Sequence, residues 1–241
     1  MRVSEFYNLG KKQPSLEFLD VDVKNDTRLF VNARAIRNLK SDFGDHCTDL
    51  LQDFFNELIQ AIRSGRDQRA LELLSHLREP NETHLGLSTG QSDGRGLGSE
   101  KAKQIWRSFK HSKAVKTGLL EDLEDTVLLI DGISNDILSD IITNIIRGPL
   151  ITYTQMICHA YSIPMEMEVS SGPVWNLNSK HWEVDFVELP MPKDEKLLLL
   201  PKSIVRLSGD YNVSEYYRHY ILEKLKEEEK DAFHQVPNIE K

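Results

Sequence analysis

Residues 86–106, GLSTGQSDGRGLGSEKAKQIW, hold five of the chain's thirteen glycines and run straight into a cationic segment. Gly94, Gly96 and Gly98 strip side chains from the backbone just before an expected helix start. That frees N–H groups to face an anion, with the helix dipole assisting. Arg95 adds a charge inside the loop, and Lys101, Lys103, Arg107, Lys110, Lys113 and Lys116 follow. Positions 95–116 therefore carry seven cations against one anion, Glu100, in a chain of formal net charge −8. Such a local reversal of sign suits contact with a phosphate backbone; it equally suits a glycine loop followed by a solvated helix face. Three named motifs fail on context. GLSTG has the GxSxG letters of a nucleophile elbow centred on Ser88, but no strong strand precedes it and no helix follows directly. GRGLG departs from dinucleotide-binding spacing, and no Lys-Ser/Thr pair completes a P-loop.

A second cluster lies in LLIDGISNDILSDIITN. Asp131 is expected at the C-terminal end of a buried strand, where α/β proteins place catalytic carboxylates. Asp136, Asp140 and Asn144 recur every four residues, so one helix face carries all three. Flanking isoleucines require much of that helix to be buried. Carboxylates on so apolar a surface need a cation, a lysine or hydrogen-bond donors to compensate them. Mg²⁺ is one such compensator, which makes Asp131 and Asp140 candidate metal ligands. With Glu82 beside the glycine segment and Lys202 late in the chain, they form a candidate catalytic set. Metal ions in such a set activate water and stabilise the leaving oxygen, while the lysine orients attack. Simpler roles stay open, with Asp136 capping the helix and Asp140 on a solvated strip. Glu79, Asp185 and Glu188 are further acids within reach. The acid-x-Lys triplet of restriction-type nucleases is absent from the late hairpin, and Asp22-Val23-Lys24 has its letters but leads into a turn. His84 suits a loop hydrogen bond or a general base.

The elements that must position these residues follow from periodicity. Alternation around a KNDT turn predicts a β-hairpin over residues 16–32. Leu50, Leu51, Phe54, Phe55, Leu58 and Ile62, then Leu71, Leu74 and Leu77, predict an antiparallel helical hairpin broken at Gly65 and closed at Pro80. Ala102, Ile105, Trp106 and Phe109 predict an amphipathic helix over 99–113, with Gly98 or Ser99 at its N-cap. A buried strand from Val127 to Ile130 should precede a helix to Arg147. Gly148-Pro149 should interrupt it before a second helix to Ala160. A second β-hairpin is predicted over 182–205, where His181 and Trp182 pack, and a final helix over SEYYRHYILEKLKEEEK. The expected class is mixed α+β: a helical hairpin and central helices packed with two β-hairpins and a short buried strand. It forms one domain over residues 1–225, with a subdivision near 80–100 conceivable, and a loose tail over 226–241.

With 39% hydrophobic and 28% charged residues, the chain has the composition of a globular protein. Its apolar runs are broken by charges, and MRVSEFYNLGKKQ lacks the apolar core of a secretory signal. Cys47 and Cys158 are far apart and fit buried thiols, so a cytoplasmic protein without a membrane partner is expected. Taken together, EPNETHLGLSTGQSDGRGLG, DGISNDILSDIITNIIRGPL and LLLLPKSIV resemble an uncharacterised family of bacterial proteins associated with restriction and phage-defence genes. The resemblance spans residues from about 16 to 220. It implies work on nucleic acid and supplies no activity for particular positions. Three functions are therefore expected: a Mg²⁺-dependent phosphodiesterase acting on DNA or RNA, a non-catalytic nucleic-acid- or partner-binding subunit of a defence complex, or a nucleotide-binding sensor or hydrolase.

Overall fold

A computed structural model describes residues 1–86, 97–117, 126 and 130–206, and the chain divides into two units, Met1–Gly209 and Asp210–Lys241. The described part of the first unit is mixed α+β, as the sequence predicts. The expected C-terminal helix and tail, together with Ser88, Gly94, Arg95 and Gly96, lie outside the described residues.

Helix α1 (Val3–Phe6) leads into an irregular segment that reaches strand β1 (Phe30–Val31). The 16–32 stretch does not fold back on itself as expected. Arg2 bridges Asp22, Phe18 bridges Pro201, Thr27 bridges Leu85, and β1 pairs antiparallel with β6 (Val205–Arg206). Each short apolar piece finds a different distant partner because Leu16, Phe18, Val21 and Val23 are all buried. A two-stranded hairpin would leave one face of those side chains wet. Asp22 holds its turn by accepting the Lys24 backbone N–H at 2.8 Å. Asp20 accepts from both the backbone N–H and the hydroxyl of Ser4.

Helices α2 (Ala33–Arg37), α3 (Asp42–Arg63) and α4 (Asp67–Ser75) follow, and the last two form the expected helical hairpin. Ser41 caps α3 by accepting the Gly44 N–H at 3.2 Å. Asp42 and Asp45 suit the positive end of α3 and Arg63 its negative end. Gly44 is required there, since an added Cβ would lie 2.2 Å from the Leu39 carbonyl oxygen.

Helix α5 (Leu97–His111) buries Ala102, Ile105 and Phe109 against α3 and α4, and α6 (Lys113–Thr117) continues the chain. Because α5 begins at Leu97, Gly98 and Ser99 fall in its first turn rather than at the cap. Most of the expected strand Val127–Ile130 lies outside the described residues. Of its four residues only Ile130 is described; it is buried in a bend, and its N–H donates to the Thr126 carbonyl at 2.9 Å.

Helix α7 (Asn135–Ile145) is capped by Ser134, which accepts the Ile137 N–H at 3.3 Å, so Asp136 lies in the first turn and is not the cap. The break before α8 (Arg147–Tyr161) falls at Ile146. Gly148-Pro149 sits in the first turn of α8, where the absent proline N–H has no intrahelical acceptor to lose. Strands β2 (Glu166–Ser170), β3 (Val174–Asn176), β4 (His181–Glu183) and β5 (Phe186–Leu189) form nested antiparallel pairs, β3 with β4 inside β2 with β5. This replaces the expected hairpin over 182–205. Trp175 and Trp182 pair across β3 and β4 and pack against Phe54, edge-to-face and tilted respectively, with the Trp182 indole N–H donating to the Leu73 carbonyl.

Leu197, Leu198, Leu199 and Leu200 are each at most 1% exposed, yet they join no regular ladder. Their backbone groups are answered one by one. The Leu197 N–H donates to the Pro190 carbonyl, the Leu198 N–H to the Glu82 carbonyl and the Leu199 N–H to the Thr154 hydroxyl, while the Leu200 carbonyl accepts the Leu19 N–H. Apolar burial decides the path of this run, and scattered acceptors satisfy its backbone.

Candidate functional site

Helix α7 places Asp140 and Asn144 one turn apart, and the chain turns at Ile146 to bring Arg147 in after them. Asp140 is 8% exposed despite its charge. The compensating group is a lysine of the basic helix: Lys101 Nζ lies 2.7 Å from Asp140 Oδ2. Burial pushes the Asp140 carboxyl up to about 6, against the pull of Lys101, and the negative charges of Asp136 and Glu79 raise it further. The carboxylate is thus poised near neutrality, the range that general acid–base chemistry uses.

A second buried pair lies beside it. Arg147 is 5% exposed and forms an ion pair with Glu82 through Nη1. Asn144 supports Arg147 from α7: its Nδ2 donates to the backbone carbonyls of Asp140 at 2.7 Å and Arg78 at 2.5 Å, and its Oδ1 accepts from Arg147 Nη2 at 3.1 Å. Gly172 at φ +69° allows the approach of the guanidinium, since a Cβ there would lie 3.2 Å from Arg147 Nη1. Arg147 Nε is enclosed and has no hydrogen-bond partner. Asn144, Arg147 and Glu82 thus form one hydrogen-bonded set tied to the backbone of α7, while Lys101 meets the Asp140 carboxylate separately.

The structure brings Lys101 onto Asp140 and, as a separate pair, Arg147 onto Glu82. It does not bring in the rest of the expected catalytic set. Asp131 is exposed on a turn, and Gly132 next to it abuts Ser108, about two turns of α5 beyond Lys101. Lys202 is exposed and donates to the Pro14 carbonyl at 3.3 Å. Among the described residues no three His, Cys, Asp or Glu side chains gather as ligands for one metal ion. Of the expected metal pair, Asp140 pairs with Lys101 and Asp131 lies exposed on its turn. His84 is buried, in a left-handed conformation at φ +50°, and burial lowers its basicity. It closes a short helical turn at Asn81–Thr83.

The basic helix is partly neutralised from within. Lys101 pairs with Asp140, Lys103 with Glu100 at 2.8 Å, and Lys110 with Asp67 while sitting 4.6 Å above the Trp106 ring. Lys103, Arg107 and His111 nevertheless form an exposed strip along α5, and Lys113 and Lys116 extend exposed charge onto α6. Asn144 and Arg147 were not singled out as site residues by sequence reasoning. The signal was present, since positions 140, 144 and 147 recur at helical spacing.

A family model matches residues 8–212, a span that includes Glu82, Lys101, Asp140, Asn144 and Arg147. The chain belongs to the family DUF8370, a domain of unknown function. That description names no activity, substrate or partner for the five residues. No curated protein and no solved structure matches the chain. Among the described residues no helix is long and apolar enough to cross a membrane.

Proposed function

We propose that the protein hydrolyses phosphodiester bonds of a nucleic acid at the Asp140–Lys101 pair, in the setting of bacterial defence that the sequence resemblance suggests. One observation carries the reading: a buried carboxylate with its pKa near 6 is held against a lysine on the helix whose outer strip is cationic. Structural ion pairs also perturb pKa values, but a poised carboxylate beside a cationic surface is the pattern of a reacting centre. The exposed strip of Lys103, Arg107 and Lys116 would lie along the phosphate backbone. Asp140 would take a proton from an attacking water as its oxygen bonds to phosphorus. The P–O bond to the leaving sugar then breaks, and solvent protonates the leaving oxygen. Lys101 would face the charge that develops on the non-bridging oxygens. Mg²⁺ would be held by Asp140 and would supply charge stabilisation at the substrate phosphate.

The test is incubation with single- and double-stranded DNA and RNA in Mg²⁺, Mn²⁺ or EDTA, comparing wild type with Asp140→Asn. Cleavage should rise with pH through about 6 and fall by about a hundredfold or more in the variant. Cleavage unchanged by Asp140→Asn removes the assignment. The exposed strip of Lys103, Arg107, Lys113 and Lys116 equally supports a second reading, a module that grips nucleic acid without cutting it. Salt-sensitive binding with no cleavage under any metal condition would decide for that reading.

A further inference from the structure

A groove of about 900 Å³ opens between the start of α3, the first half of α8 and the β-ribbon. We propose that it is a binding site for a small organic cation with an apolar body, such as an aralkylamine. Its volume falls within the range of small-molecule sites, which are apolar pockets with a few placed polar groups. The apolar wall includes Phe43, Leu50, Tyr153, Met156, Val174 and Val187. Phe43 and Tyr153 lie with ring centroids 5.8 Å apart, presenting two aromatic surfaces of the kind that attract cations. Met156 is a large apolar side chain left 57% exposed.

The charge of the lining chooses among ligands. Asp42, Glu183 and Asp185 contribute to it, with His46, and no lysine or arginine does. No lysine or arginine among the described residues forms a salt bridge with any of these three acids. Two of them are fixed in place. Glu183 accepts from Asn176 Nδ2 at 2.9 Å and Ser179 Oγ at 2.8 Å, bonds that lower its pKa and keep it ionised. Asp185 Oδ1 accepts the Phe186 N–H at 2.7 Å. Carboxylates without lysine or arginine partners, lining an apolar and aromatic groove, match a ligand with a positive head and an apolar body. An anion would meet three like charges there. This inference does not rest on the phosphodiesterase reading, and neither fails with the other.

The test is calorimetric titration of the full chain with 4-phenylbutylamine, 4-phenylbutanol and 4-phenylbutyrate, which share a body and differ in head charge. The amine should bind at least about tenfold tighter than the alcohol, and the carboxylate should not bind. Asp185→Asn and Glu183→Gln should each weaken the amine by about fivefold and leave the alcohol unchanged, as expected for partly exposed charge pairs. Thr152→Trp, on an exposed lining position, should block amine and alcohol alike. Equal affinity for all three compounds, amine binding indifferent to both acid variants, or no amine binding at about 1 mM would each overturn the proposal.

Discussion

Asp140 is held where a carboxylate is hardest to keep charged. Its folded pKa, about 6, stands above the ordinary 3.8, so the folded protein binds its proton more tightly than the unfolded chain does. The contribution of this group to stability is therefore full below about pH 3.8 and is lost as pH rises through about 6. The difference is worth about 3 kcal/mol for a group this buried. Asp140→Asn should escape that loss. Measured by denaturant unfolding at pH 4 and again at pH 7.5, the stability of the variant relative to wild type should shift in its favour by up to about 3 kcal/mol. A shift the other way would mean that Lys101 more than offsets burial and that Asp140 is an anchor of the fold. The residue types at this site were legible in sequence, and so was the need for compensation. That Lys101 is the compensator was not, because residues 39 positions apart meet only when α5 packs near α7.

At the scale of elements, α5 has two opposed duties. Its inner face, Ala102, Ile105 and Phe109, is core, and the 3.6-residue period announced it. Its outer strip carries Lys103 and Arg107 four residues apart, which is about 6 Å along the axis. A strip that holds a phosphate backbone should act through counterion release. Replacing both Lys103 and Arg107 with Gln should reduce the slope of log binding constant against log salt by about 1 to 2 and weaken DNA and RNA of any sequence alike. A fluorescence-anisotropy titration over a salt series measures this, and an unchanged slope would place the nucleic acid elsewhere or nowhere. The helices were the readable elements because each declares its own buried face locally. The strands were not. In WEVDFVELP the alternation identifies strand character, but nothing in it says that β5 pairs with β2 and that β3 and β4 nest inside them. Register there is decided by Trp175 and Trp182 seating on Phe54.

At the scale of the described molecule, the run Leu197–Leu200 ties distant parts together. Leu199 depends on Thr154 of α8, whose hydroxyl accepts the Leu199 N–H at 2.9 Å and itself donates to the Leu150 carbonyl at 2.7 Å. Thr154→Val keeps the shape and leaves that buried N–H without a partner. It should lower unfolding stability by about 1–3 kcal/mol with no change in helix content, as read by denaturant titration and circular dichroism. A neutral result would mean that the backbone of the apolar run finds another acceptor. By itself the sequence determined the mixed α+β class, the helical hairpin, the buried stripe of α5 and the shared face of Asp140 and Asn144. All of these are set by spacing within one segment. Only the tertiary structure decided that residues 16–32 and 197–206 join each other and not their neighbours, that Asp131 lies exposed on a turn, and that Asp140 meets Lys101. Pairing and charge compensation are relations between segments, and burial of the whole apolar surface, not any local preference, selects among them.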